Sequence, residues 1–296
     1  MYPQNFKRLL VGLDLSDMDD LLIRYALTVA GWLQIEKVYF LHIIPDLQQP
    51  TIDGPGFYTL FNPEIPLDEQ IEHQIQARVQ GIWKQQAAPI YTVDVVEGKP
   101  YQQMVHWATI KNADLVMVGC KTQSAGSGIT ARRMARQIKS SVLFVPEDTE
   151  LKPAKMAVPF DFSKNAARAI KTALHLSQKT GASVMGLHVV EVLPPDYTIT
   201  LVRQAEYTGV LLQNAKEAYQ EFIQKYAVDP ADLQVDFVEN TFYNIAAHIR
   251  HYVAEINAGL LVMGAQGHSA WENFWFGSVT ERLVEEKPAC PVLVVR

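Results

Sequence analysis

The segment from Met263 to Val279 sets Gly264, Gly267 and Gly277-Ser278 at the spacing G-x2-G-x9-G-S, after an apolar run and before the helical stretch VTERLVEE. Glycines let backbone N–H groups turn inward and approach an anion with no Cβ in the way. The free N–H groups and positive dipole end of the following helix then face the same spot. Ser278 has two uses there, capping that helix or donating its hydroxyl to a phosphate. The chemistry this spacing suits is phosphate binding. It is neither of the two common nucleotide loops, because the chain has no GxxxxGK[ST] and no GxGxxG after a first strand. A carboxylate ends another apolar run, in Pro159-Phe160-Asp161-Phe162-Ser163. Asp161 could accept hydrogen bonds from a ribose or an adenine amino group, or help cap the helix that opens at Ser163. His188, near the end of a third run, reads as a packed or hydrogen-bonded residue rather than a ligand, and its repetition at His42 favours that role. Trp271, Phe274, Trp275 and Phe276 crowd the middle of the glycine segment. Rings so closely spaced either pack under the loop, cover a ligand or form a contact surface.

The elements that must position these residues come from an internal repeat. KRLLVGLDLS (7–16) returns as AKMAVPFDFS (154–163), with Asp14 matching Asp161 at an offset of 147. VYFLHII (38–44) returns as VMGLHVV (184–190), ADLVMVG (113–119) as AGLLVMG (258–264), and SVLFV (141–145) as PVLVV (291–295). Four matches in one order at a nearly constant offset mark a tandem duplication of a domain-sized half. The polar, proline-containing PEDTELKP (146–153) separates residues 1–148 from 154–296.

Within each half, short Val/Ile/Leu runs without polar alternation predict strands buried on both faces, as in a parallel sheet. Helical patterns lie between them. Leu22, Tyr25, Val29 and Leu33 share one face of a helix that Ser16 can cap. Its counterpart opens at Ser163 and stops at Gly181. Further helices carry Ile71, Ile75, Val79 and Ile82 in the first half and Ala215, Tyr219, Phe222 and Tyr226 in the second, with shorter ones near 102–111 and 243–256. The order βαβαβαβαβ predicts two doubly wound, five-stranded parallel sheets with helices on both faces. Ligands in such sheets bind beyond the C-terminal strand ends, at the switch in strand order.

Composition bounds the function. At 48% hydrophobic and 20% charged, the 296 residues suit a soluble protein with filled cores. A net charge of −6 argues against nucleic acid or an anionic membrane as the main partner. Cys120 and Cys290 form no CxxC or zinc pattern, so a reducing compartment and no metal centre are expected. Neither a leader before Phe6 nor a bilayer-spanning apolar run is evident, and the expectation is a cytoplasmic protein.

Asp161 after strand one, the Leu-His-Val of strand two and the Met-Gly-x2-Gly-x9-Gly-Ser-Val loop resemble the universal stress protein family in its ATP-binding branch. The strands AVPFDFS and CPVLVVR fit as well, and the likeness covers both halves. The resemblance implies two tandem domains of the adenine-nucleotide alpha-hydrolase-like fold, holding ATP with Mg2+ on its phosphates. It puts Pro159, Phe160 and Asp161 beside the adenosine and the Val189 backbone against the adenine. Met263, Gly264, Gly267 and His268 would begin the ribose-phosphate cradle, and Gly277, Ser278 and Val279 would close on the outer phosphates. Family members pair through their last strands, so the resemblance also implies pseudo-twofold pairing of the two domains, with further association into a homodimer left open.

The first half departs from the pattern. Cys120-Lys121-Thr122 follows Gly119, no Gly-Ser stands at the required distance, and the span from Gly119 to Val142 is 23 positions against 28 from Gly264 to Val292. Asp14 survives without a phosphate cradle, and Arg132 and Arg133 read as a solvated helix face. The first half is expected to contribute shape and regulation. The leading function is an ATP-binding stress-response or signalling protein with an unidentified protein partner, in which any hydrolysis or autophosphorylation is slow for want of a base or nucleophile in the loop. The alternatives are a tandem scaffold that binds no nucleotide and an adenylating α/β enzyme. The latter would require a second substrate pocket and a basic group, neither of which the sequence displays.

Overall fold

A computed structural model describes residues 5–44, 65–84, 88–121, 137–192, 201–242, 244–265, 277–285 and 288–296. The chain divides into two compact units, Asn5–Glu147 and Asp148–Arg296. Each is a doubly wound α/β unit on a five-stranded parallel sheet.

In the first unit, β1 (Arg8–Leu13), β2 (Lys37–Ile44), β3 (Ile90–Glu97), β4 (Leu115–Cys120) and β5 (Ser141–Pro146) alternate with α1 (Met18–Leu33), α2 (Leu67–Ile82) and α3 (Pro100–Ile110). The strand order is β3-β2-β1-β4-β5. The second unit repeats it with β6 (Lys155–Pro159), β7 (Ser183–Val190), β8 (Leu233–Glu239), β9 (Leu260–Gly264) and β10 (Val292–Val295), ordered β8-β7-β6-β9-β10. Its helices are α4 (Lys164–Thr180), α5 (Leu201–Tyr226), α6 (Ile245–Glu255) and α7 (Ser278–Glu285). Every pairing along β3-β2-β1-β4-β5 and β8-β7-β6-β9-β10 is parallel. The order turns at β1/β4 and at β6/β9, because successive crossovers leave the first strand in opposite directions.

The central strands are buried on both faces, as uninterrupted apolar runs require. Leu9, Leu10 and Val11 in β1 and Met156, Ala157 and Val158 in β6 are all within 1% of full burial. Leu22, Tyr25, Val29 and Leu33 turn one face of α1 inward, and Ala166, Ile170, Ala173 and Leu176 do so on α4. Ser163 caps α4 by accepting the Ala166 N–H at 3.1 Å, and left-handed Gly181 ends the helix. Ser16 does less than expected of it. α1 opens one residue later, with Asp17 at the cap position and no side-chain cap bond, while Ser16 Oγ accepts the Met18 N–H at 3.3 Å. No helix among the described residues is long and apolar enough to cross a membrane.

Candidate functional site

At the β6/β9 switch the second unit holds a cavity of about 280 Å³. Pro159, Phe160 and Asp161 reach it from the end of β6, and Leu187, His188 and Val189 from β7. Met263 and Gly264 come from β9, and Gly277, Ser278, Val279 and Thr280 from the start of α7. Ile245 and Ile249, one turn apart on α6, and Ala166 on α4 complete the wall. Nine of the eleven residues singled out from sequence therefore line one space. Gly267 and His268 lie outside the described residues, as do the rings at 271–276 and, in the first half, Thr122, Arg132 and Arg133.

Strand mechanics fix the direction of the Val189 peptide groups. In a parallel ladder alternate residues turn their peptide groups to opposite sides. The Leu187 carbonyl accepts Phe160 N–H on the β6 side at 2.9 Å, and the Val190 carbonyl accepts Asn240 N–H at 2.8 Å on the β8 side. The Val189 peptide groups thus face the β6 side, beyond Pro159, where β6 has ended. There His188 Nδ1 donates to the Phe160 carbonyl at 2.9 Å, and the chain turns away through left-handed Phe162. Since a carbonyl only accepts, Nδ1 carries the proton and a neutral His188 keeps its lone pair on Nε2. Burial pulls the His188 pKa below its ordinary value, partly opposed by that carbonyl and by Asp161. His42 repeats the bond on Leu13 at 3.0 Å, so the histidine has its structural role in both units, and His188 is a wall residue besides.

Asp161 has a local bond and a place at the cavity. It accepts Ser163 N–H at 3.1 Å, as a turn-forming carboxylate does, and it stands in the cavity wall. Among the described lining residues it is the one acid, set among the apolar surfaces of Phe160, Leu187, Val189, Ile245 and Ile249. Such a wall suits a flat, largely apolar ring with one or two polar edges.

Gly264 is needed for packing before any ligand is considered. A Cβ there would stand 2.8 Å from the carbonyl carbon of Asn165 and 2.9 Å from its Cβ, because the first turn of α4 rests on the end of β9. Beyond it, Gly277 N–H donates to the Ala265 carbonyl at 2.9 Å, and Thr280 Oγ1 lies 3.4 Å from the Gly264 carbonyl. These contacts tie together the two ends of the glycine segment and aim the N-terminus of α7 at the cavity. The unpaired N–H groups of a first helical turn can there meet an anion.

Ala166, Ile245, Ile249 and Thr280 went unnoticed in the sequence, and a small residue three after a helix-capping serine was the available signal for Ala166. Among the described residues no cluster of three metal-ligating side chains occurs. Burial pushes the thiols of Cys120 and Cys290 up to about 12, so neither is a nucleophile at neutral pH.

The model of the universal stress protein family matches residues 5–146 and again 154–296. A universal stress protein of Methanocaldococcus jannaschii is 28% identical over 143 residues, covering 48% of this chain and 81% of that protein. The universal stress protein YxiE of Bacillus subtilis is 29% identical over 159 residues, covering 48% of this chain and 98% of the relative. Each relative thus spans about half of this chain. A crystal structure of a universal stress protein from Archaeoglobus fulgidus is similar across 100% of this chain and 97% of its own, with a TM-score of 0.63 and 20% identity.

Proposed function

The chain belongs to the universal stress protein family, and from that premise we propose that its second unit binds ATP, as the nucleotide-responsive half of a cytoplasmic stress-response protein. The observation that carries the reading is convergence. The Asp161 carboxylate, the Val189 peptide groups and the N-terminus of α7 meet in one cavity with apolar side walls. In this reading the adenine lies between the apolar surfaces and bonds to the Val189 backbone, Asp161 receives the ribose hydroxyls, and the phosphates run toward Gly277, Ser278 and Val279. Gly267 and His268 belong to the same cradle by their place in the loop. Magnesium would arrive on the phosphates, supplying charge neutralisation, since the described wall offers a single carboxylate. With no catalytic base or nucleophile evident in the glycine segment, turnover of the bound nucleotide is expected to be slow. The first unit contributes shape and regulation.

A thermal scan of the full chain tests the reading. A ligand at a hundredfold excess over Kd stabilises the folded state by roughly 2.7 kcal/mol. For a cooperative unit of about 150 residues that is a rise of about 5–11 °C in Tm. ATP with magnesium should give it, GTP less, and bare triphosphate least. An unchanged Tm in millimolar ATP and magnesium would put the nucleotide-free scaffold in its place.

A further inference from the structure

The two units carry the same turn at the end of their first strand, and one of them fills it with its own side chain. Leu15 and Phe162, at matching positions after Asp14 and Asp161, are both left-handed, with φ of 63° and 64°. In the first unit this conformation turns two successive amides toward α1. Asp14 N–H donates to Asp19 Oδ1 at 3.1 Å and Leu15 N–H to Asp19 Oδ2 at 3.0 Å. The Asp19 side chain is fully buried, and Arg78 on α2 approaches it at 3.5 Å while holding Asp20 at 2.6 Å. Lys121 forms an ion pair with the neighbouring Asp14 carboxylate. A carboxylate on two adjacent amides and an ammonium on the strand-end acid thus occupy the mouth of the first sheet.

In the second unit the position of Asp19 belongs to Ala166, 147 residues on, which lies in the cavity wall. The Phe162 N–H, counterpart of the Leu15 donor, has no hydrogen-bond partner among the described residues. Its turn is held in the same left-handed form, so the amide faces the space that a carboxylate at position 166 would take. A half-buried donor of this kind seeks an oxygen.

We infer that the residue three positions after the strand-end serine decides whether a unit is open to ligand: Ala166 leaves a subsite for a ligand oxygen on the Phe162 amide, and Asp19 is the first unit's built-in occupant of the corresponding place. The identity of the ligand as ATP rests on the function proposed above; the occupant itself does not. The first unit therefore lacks the glycine spacing in its sequence and also fills the place with its own acid, so restoring the spacing alone would not open it.

The test is Ala166→Asp in the full chain, with Ala166→Asn as a neutral variant of the same size. Two readouts are taken: Kd for ATP with magnesium by calorimetry, and the Phe162 amide by 15N-resolved NMR. A carboxylate in place on this amide should shift its proton downfield, toward the position of Leu15, and slow its exchange. It should also weaken ATP at least about 30-fold, since it fills the subsite and sets like charge against the phosphates, with the asparagine variant intermediate. A Kd within threefold of wild type, or an unmoved Phe162 amide at any Kd, overturns the inference. So does unfolding of the second unit by both variants, because the first unit accommodates the same carboxylate. If wild type binds no ATP, the proposed function falls, and the Phe162 amide still decides this inference by itself.

Discussion

Gly119 and Gly264 occupy matching positions at the ends of β4 and β9, yet adding one methyl group to each should have different consequences. At Gly264 the new Cβ meets main chain: the Asn165 carbonyl carbon at 2.8 Å and its oxygen at 3.0 Å. Carbon atoms pack best at about 3.5–4.0 Å, so roughly 0.7 Å must be recovered by moving the first turn of α4 off the sheet. That turn is pinned by the Ser163 cap and by Ala166, Ala167 and Ile170, all buried. Overpacking against an unyielding neighbour costs about 1–3 kcal/mol. For a unit of about 150 residues, Gly264→Ala should lower Tm by about 2–12 °C. At Gly119 the Cβ instead meets Met18, at 2.6 Å from Sδ and 3.0 Å from Cε. A thioether end swings aside at small cost, so Gly119→Ala should cost less than about 1 kcal/mol. Calorimetry of the full-length single mutants measures the difference, and hydrogen exchange of the β9 and β4 amides assigns it to the altered unit. Equal losses, or a larger one at Gly119, would refute the claim that backbone contact is what excludes a side chain from Gly264.

Gly277→Val should abolish the ATP-dependent rise in Tm, because a β-branched residue keeps the backbone from approaching an anion; an undiminished rise would exclude Gly277 from the cradle. Asp19→Ala should cost the first unit about 1–3 kcal/mol in urea unfolding, by leaving the Asp14 and Leu15 amides without their acceptor. Burial depresses the pKa of His188 and of His248, the latter with help from His251, so the unfolded chain takes up their protons first as pH falls. Stability from these groups is full above the ordinary histidine pKa near 6.5 and is lost as pH drops from there through the folded values. Urea titrations at pH 7.5 and 5.5 should reveal that loss in wild type, and a His188→Asn/His248→Gln double mutant, which keeps polar atoms for the Phe160 carbonyl and Phe242 N–H, should flatten it.

Local chemistry and periodicity made much of this protein legible in its sequence. Uninterrupted apolar runs foretold strands covered on both sides, the 147-residue echo of Asp14 in Asp161 foretold two like units, and Ser163 and Gly181 marked both ends of α4. Each of those signals depends on neighbours along the chain. What tertiary structure decided were roles set by neighbours in space. Asp161 could be read as a cap or as a ligand group, and only the fold places its bond to Ser163 and its share of the cavity wall in one side chain. Gly264 looked like part of a phosphate loop, yet the requirement for glycine comes already from Asn165, about a hundred residues earlier in the chain. Asp19 stands in the first turn of a helix, where negative charge is favourable anyway. That it closes over the amides of a left-handed turn, while alanine leaves the matching place open, depends on how the strand end, the helix start and Arg78 of α2 meet. A sequence records which groups are present; whether a donor meets an internal acceptor is fixed only when distant segments pack.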